Sequence, residues 1–414
     1  MKATGAAISA GCLLAMAVGV VWNLRFAAAD LSSRRNQPAA TRLAMHLTPE
    51  NGAYPAQLAD QIYATDPEAA KPLLERAVDL NPDDAARWIQ LALLYEAGND
   101  LARAEHALLR AAAADATFLP SWSLANFYFR RQDPDHFWHW AQKAAQMAPE
   151  DPTALFRLAS YISPDAAETE NRLQMKRPVM QRQFVNFLIV QDNPEGVAEA
   201  ASHLLTSNNK ENTDTILGAC DWLIEHQHAD LAAPLWNGVA SRLSYPLLAE
   251  DTVTNQSFNQ PPVSHGFDWR LMTVEGVSSY LDVHPNALGF EFSGEEPDSF
   301  LLLKQTVPVK TAQDYVLSVD YTTSSIPPGS GLAWKITNRK TGAVLAATPS
   351  LSAEQEGSAY VCFVAPMDAA FVDLGLFYQR QPGTVRVEGK LALKEVKLSP
   401  ATSERCPQNP NSKT

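Results

Sequence analysis

The sequence predicts a multidomain chain, α then β: a solenoid of helical hairpins followed by an antiparallel β-sandwich. Three observations carry this. Up to Tyr245-Pro246 apolar residues recur every three or four positions, the spacing of a buried stripe on an α-helix. Beyond that point they alternate, the spacing of half-buried strands. The helical part also repeats its punctuation, Leu47-Thr48-Pro49, Leu80-Asn81-Pro82 and Met147-Ala148-Pro149, with 33 residues from Pro49 to Pro82 and 67 from Pro82 to Pro149.

The clearest hairpin is Ala85 to Ala116. Trp88, Leu91, Ala92 and Tyr95 share one helical face, Gly98-Asn99-Asp100 breaks the helix, and Ala104, Leu108 and Ala111 share the face of a second. Gly98 is suited to the left-handed conformation that ends a helix, and Asn99 or Asp100 to capping the next. Large residues against small ones let two antiparallel helices approach closely. These seven positions resemble the tetratricopeptide repeat signature. Ala92 stands where that family often has Gly, and Ala116 where it usually has Pro. A looser copy precedes it (Leu58-Ala59, Ile62, Ala70, Leu74, Ala77, Pro82), and another follows (Trp122, Ala125, Phe129, Phe137, Ala141, Ala144, Pro149). Beyond Ser163-Pro164 the register blurs, although Phe184 to Leu205 and Ile216 to Val239 still read as hairpins.

The resemblance implies a scaffold that binds protein in a groove lined by the first helix of each hairpin. By spacing, Gln90, Glu96, Ser123, Asn126, Phe127 and Arg130 are candidates for that groove. Trp88, Trp122, Trp222 and Trp236 are expected in the core.

In the second half Leu288, Phe290 and Phe292 alternate, as do Tyr315, Leu317, Val319 and Tyr321, then Leu332, Trp334 and Ile336, then Val372, Leu374, Leu376 and Tyr378. Turn clusters such as Pro327 to Gly331 separate them. About eight to ten strands with no helical period between them indicate a sandwich. Over residues 250–398 the strand order, with Phe267-Asp268-Trp269-Arg270 near its start, resembles the galactose-binding-like jelly-roll sandwiches that include many carbohydrate-binding modules. That resemblance implies sugar recognition by stacked aromatics. Trp269 lacks an alternating apolar strand around it, so it is the best candidate for exposure among the tryptophans of this half; the other reading, and the preferred one, is a buried ring that plugs one end of the sandwich, with Asp268 or Arg270 in a salt bridge. Flanked by Asp268 and Arg270, it is the leading glycan-binding candidate, with Gln305 and Tyr378 behind it. Trp334 alternates with Leu332 and Ile336 and is expected buried.

The formal charge of −13 lacks the basic footprint that phosphate neutralisation requires, so nucleic acid is not an expected partner. No phosphate loop, nucleophile elbow or paired cysteine motif is present, and no catalytic set, cofactor or metal is expected. His136 and His139 are spaced for one metal, yet they lie in His136-Phe137-Trp138-His139-Trp140 without a third ligand nearby.

Gly5 to Trp22 carries no charge and just reaches membrane-spanning length. An uncleaved anchor is the preferred reading, because Asn23 and Arg25 intervene before Ala27-Ala28-Ala29. The rival is a signal peptide cleaved at those alanines. Of the cysteines, Cys362 and Cys406 could pair in an oxidising compartment, and free thiols are the preferred expectation.

The resulting division is an anchor or signal peptide at 1–26, tetratricopeptide-type repeats at 27–245, a carbohydrate-binding-like sandwich at 246–400 and a disordered tail at 401–414. The expected function is a membrane-anchored, non-catalytic scaffold that holds a protein partner through its repeats. By the combined resemblance it belongs in a bacterial envelope or polysaccharide system, with an extracytoplasmic body. The alternative is a glycan-binding protein whose sandwich recognises polysaccharide.

Overall fold

Helical hairpins come first, and a two-sheet sandwich follows. The computed structural model describes residues 2–148, 151–283, 286–352, 356–401 and 406, with side chains for all of these but 2–12, 14, 15 and 283. The chain divides into two units, residues 1–180 and 181–414.

The first unit begins with α1 (Lys2–Ser33), α2 (Pro38–Leu47), α3 (Ala53–Ile62), α4 (Pro67–Leu80) and α5 (Ala85–Ala97). It continues with α6 (Leu101–Ala114), α7 (Phe118–Arg130), α8 (Pro134–Gln146), α9 (Thr153–Ile162) and α10 (Ala166–Leu173). The membrane-crossing reading of 5–22 falls mostly on residues whose side chains lie outside the description. Among the described residues no helix is long and apolar enough to cross a membrane. Residue 26 is not a boundary in the backbone, because α1 runs unbroken to Ser33. Its second half packs as part of a hairpin: Ala29 is buried with Ala44 and Tyr54, and Arg25 pairs with Glu50 at 3.0 Å.

Small residues set the hairpin contacts as the spacing predicts. Ala92, Ala104 and Ala111 are buried beside Leu91, Tyr95 and Leu108. The turn differs from expectation. Gly98 is not left-handed (φ −80°); Asn99 is (φ 58°), and Asp100 caps α6 through Arg103 N. The same device recurs at Gln132-Asp133 (φ 56° at Gln132), where Asp133 caps α8. In both turns the capping residue's N–H bonds back five residues, Asp100 to Tyr95 at 2.8 Å and Asp133 to Tyr128 at 3.0 Å, which closes the first helix as a Schellman turn does.

The unit boundary falls in the first turn of α11 (Pro178–Val190), and the second unit continues with α12 (Pro194–His203), α13 (Lys210–Glu225) and α14 (Ala229–Ala240). Their turns repeat that pattern with Asp192-Asn193 and Gln227-His228, so the hairpin outlasts its signature. Trp236 is fully buried, whereas Trp88, Trp122 and Trp222 are half-buried. Each of these three packs a neighbouring ring instead: Trp88 on His106, Trp122 on Phe118, Trp222 on His226.

The strands are β1 (Arg270–Leu271), β2 (Val277–Val283), β3 (Asn286–Ser293), β4 (Ser299–Pro308) and β5 (Asp314–Ser324), then β6 (Leu332–Asn338), β7 (Val344–Ala347), β8 (Gly357–Val364), β9 (Phe371–Gln379) and β10 (Glu388–Pro400). They form two antiparallel sheets of order β1-β4-β9-β6-β7 and β2-β3-β10-β5-β8. The alternating sets of the sequence face inward, and Trp334 is buried among them. In β10 a bulge between Leu393 and Glu395 shifts the parity, so that Leu391 and Leu393, then Val396 and Leu398, all reach the core.

Cys362 of β8 and Cys406 are joined in a disulfide with Cα atoms 6.0 Å apart, not left as free thiols. Cys220 is free and buried, and burial raises its thiol pKa well above the usual range. Apart from Ala401 and Cys406, the tail expected to be disordered lies outside the described residues, as does Pro149.

Candidate functional site

Two surfaces are built from side chains the sequence singled out, or from their immediate neighbours. The first runs across successive first helices. Gln90 of α5 donates to Asp60 of α3 at 3.0 Å and accepts from Arg87 at 2.9 Å, and Arg87 pairs with Asp60 at 2.6 Å. One hairpin further, Arg130 of α7 grips Glu96 of α5 with two bonds of 2.7 and 2.6 Å. Gln90, Glu96 and Arg130 thus belong to a ladder of bonds between repeats. Ser123 and Asn126 are half-buried on α7, and the Ser123 hydroxyl donates to Leu119 O within its own helix. Phe127 is a correction: at 1% exposure it is core, its ring set edge-on against Tyr128. Its spacing matched the groove, but its side chain fills the gap between helices.

A second repeated contact is absent from the sequence reading. The Tyr95 hydroxyl donates to Glu75 of α4 at 2.7 Å, and the Tyr128 hydroxyl to Glu105 of α6 at 2.6 Å. Burial, reinforced by the carboxylate, pushes the Tyr95 phenol up to about 12 and raises Tyr128 in the same direction. Both groups therefore stay neutral donors at ordinary pH. Next to Tyr128, a cleft of about 590 Å3 is lined by Phe129, Pro134, Ile162 and the exposed Tyr161.

In the sandwich the glycan candidates are taken up by contacts with other residues of the chain. Trp269, Asp268, Gln305 and Tyr378 are all buried. Trp269 is a core plug: its ring meets Trp334 edge-on at 5.6 Å and lies beside Phe258, while its indole N–H donates to Asn255 O at 3.2 Å. A ring with no free face cannot stack on a sugar. Asp268 accepts from the Tyr245 hydroxyl at 2.6 Å and Val263 N at 2.7 Å; burial raises its carboxyl above the ordinary value. Gln305 clamps the backbone N–H and carbonyl of Thr254, and the Tyr378 hydroxyl accepts from Val387 N. Arg270 is taken up by Asp221 at 2.7 Å and Glu225 at 3.0 Å of α13. These residues tie the sandwich to itself and to the last hairpin. Gly266 belongs to the same junction: its φ is +57°, and a Cβ there would meet the Trp236 ring at 2.4 Å.

Exposed aromatics occur instead on the outer face of the β2-β3-β10-β5-β8 sheet. Tyr360 of β8 is 63% exposed and borders a shallow cleft of about 530 Å3 with Ser318, Asp320, Glu395 and Lys397. On the far edge strand Tyr280, 41% exposed, lies across Gly289, where any side chain would strike its ring. The sequence offered one signal for Tyr360: it is out of phase with the buried Phe363 on its strand.

Comparison with known proteins bears on the hairpins first. Residues 61–126 match the tetratricopeptide repeat. The match spans α4, α5, α6 and part of α7, which contain the Tyr95–Glu75 contact and, of the ladder, Arg87, Gln90 and Glu96 but not their partners Asp60 and Arg130. No curated protein matches the sequence. Among solved structures, the chain is similar to one described as "CBM4 structure and function" (14% identity, 36% of this chain and 100% of that one, TM-score 0.28). It is also similar to YrrB, a TPR protein with an unusual peptide-binding site (12%, 50% and 93%, 0.27), and to PilF of Pseudomonas aeruginosa (12%, 54% and 92%, 0.27). Among the described residues, no group of three His, Cys, Asp or Glu side chains is placed to hold a metal.

Proposed function

We propose that the chain is a non-catalytic scaffold whose hairpins hold an extended segment of a protein partner along their first helices. The observation that carries this reading is the repeat match over 61–126, combined with polar, half-buried Gln90, Ser123 and Asn126 on successive first helices. Side chains held by the interhelical ladder lose little freedom when a peptide arrives, which favours binding. A photo-crosslinking residue at Asn126 of the full chain should give one discrete protein adduct. The same probe at Leu109, exposed on the second helix α6, should give none. Equal labelling from both positions would remove the groove.

A second reading is favoured by the exposed Tyr360 and Tyr280: the outer sheet face binds glycan, with the rings stacking and Asp320, Glu395 and Lys397 bonding hydroxyls. Tyr360→Ala should abolish glycan-array binding and shift stability by no more than about 0.5 kcal/mol, as an exposed substitution does. Retained binding by a folded variant would end this reading. The disulfide supports placing the body in an oxidising, extracytoplasmic compartment such as a bacterial envelope. Exposed Leu13, Met16, Val20, Val21 and Leu24 on α1 support seating that helix at a membrane.

A further inference from the structure

The sandwich has four edge strands, β1, β7, β8 and β2. β1 has two residues, and α13 holds its Arg270 through Asp221. β7 has four residues, and β7 and β8 lie against each other. β2 runs for seven residues, and among the described residues no element but β3 packs extensively along it. Ser278, Ser279, Tyr280 and Asp282 are exposed, and Val277 and Leu281 are only half-buried against the core.

The hydrogen bonds fix which backbone groups of β2 are free. Val277 pairs with Phe292, so Gly276 faces Ser293, and the Ser293 N–H donates to Gly276 O at 3.0 Å. Bonded and non-bonded pairs alternate along an antiparallel ladder. Ser278, Tyr280 and Asp282 therefore bond β3, while Val277, Ser279 and Leu281 turn their N–H and C=O groups outward. Val277 N donates to Val274 O at 3.2 Å, away from β3, which agrees with that phase. Ser279 and Leu281 have no backbone partner on the outer side among the described residues. Such an edge is a template for another strand, and β2 lacks the proline, lysine or bulge that usually guards one. The Tyr280 ring does not cover it either, because it lies back over Gly289 of β3.

The strand fits a second copy of itself. An antiparallel pairing that uses all seven residues centres on Tyr280, opposite Tyr280 of the copy. Ser279 then faces Leu281 of the copy, and Leu281 faces its Ser279, so the outward N–H and C=O groups of both residues find partners. On the outer face Ser278 meets Asp282 of the copy, a hydroxyl donor against a carboxylate, and no two carboxylates face each other. On the inner face each Leu281 comes beside a small Ser279, next to apolar surface that Val277 leaves half-buried. Two edges of this length bury less than the roughly 1,200 Å2 of a stable interface, so the pairing is reversible and concentration-dependent.

We infer that β2 is a self-association edge, joining two copies of the chain about a two-fold axis so that their five-stranded sheets run on as one. This rests on neither the protein groove nor the glycan face. The test uses the full chain with Cys12→Ala, so that this cysteine cannot contribute, treated with oxidised glutathione. Tyr280→Cys, at a position that faces itself with Cα atoms about 4.5 Å apart, should form a covalent dimer. Ser278→Cys and Asp282→Cys should each stay monomeric alone and cross-link when mixed. Adding Ser279→Pro to Tyr280→Cys should abolish the dimer at unchanged melting temperature, because an edge strand tolerates proline where the N–H faces out. Should Ser279→Pro fail to fold, the mixed pair carries the test alone. No dimer from Tyr280→Cys, a dimer from Ser278→Cys alone, no adduct in the mixture, or a dimer that survives Ser279→Pro would each overturn the inference. So would an adduct of Tyr280→Cys with another protein of a cell extract in place of its own copy.

Discussion

Ala92 and Trp269 are both essentially buried, but they are buried by different kinds of neighbour. Ala92 lies in a hairpin whose contacts come from within about one repeat: α5 against α6, with Asp84 and Asp100 capping locally. Trp269 is enclosed by Asn255, Phe258 and Trp334, the last from a strand more than 60 residues on. The sandwich as a whole depends on such distant pairings, with β10 filling the slot between β3 and β5. In the hairpins, spacing along the chain identifies the face a residue occupies. In the sandwich, spacing shows that faces alternate, and distant strands decide which residues they cover.

The largest expected effect tests the distant side of this comparison. Trp269→Ala should cost about 3–5 kcal/mol in denaturant unfolding, the range for truncating a large buried aromatic. It should leave any glycan binding by the folded fraction intact. Loss of binding at unchanged stability would put the ring back at the surface.

On the local side, Ala92→Trp should cost about 3 kcal/mol by overpacking, since Ala104 and Ala111 leave no volume opposite. Hydrogen exchange should accelerate across α5 and α6 and stay slow in the strands. Equal acceleration in both would mean that the hairpin contacts are not local in their energetics. Gln90→Ala in the same assay should cost no more than about 0.5 kcal/mol.

A pH-dependent effect concerns the junction between α14 and the sandwich. Burial raises the Asp268 carboxyl above its ordinary value of 3.8, so the folded chain holds that proton more tightly than the unfolded chain. Its contribution is therefore full below the unfolded value and is lost as pH rises through the folded one, by at most about 1.4 kcal/mol per pH unit. Asp268→Asn should remove this slope. The wild-type minus variant stability, measured by urea unfolding at several pH values, should fall with rising pH and then level off. A difference that grows with pH would mean that Tyr245 and Val263 hold the ionised form.

Much of the fold was legible because its signals are local. The three- and four-residue stripes, the change of period after Tyr245 and the inward sets of β3, β5, β6 and β9 follow from side-chain geometry on helices and strands. The site was less legible. Gln90 and Arg130 were found by repeat spacing, but their partners Asp60 and Glu96 sit 30 and 34 residues away, about one period, and only stacking of the hairpins brings them together. Phe127 had groove spacing and Trp269 had polar flanks, and both proved buried.

By itself the sequence determined the hairpins, their approximate register and the existence of a sandwich, because backbone periodicity is written in nearest neighbours. Only the tertiary structure decided that Asn99 and Gln132, not glycine, take the left-handed turn, and that Cys362 meets Cys406. It also decided that Trp269 fills the core while Tyr360 faces out. Those outcomes depend on which distant side chains compete for the same space, and no local pattern records that competition.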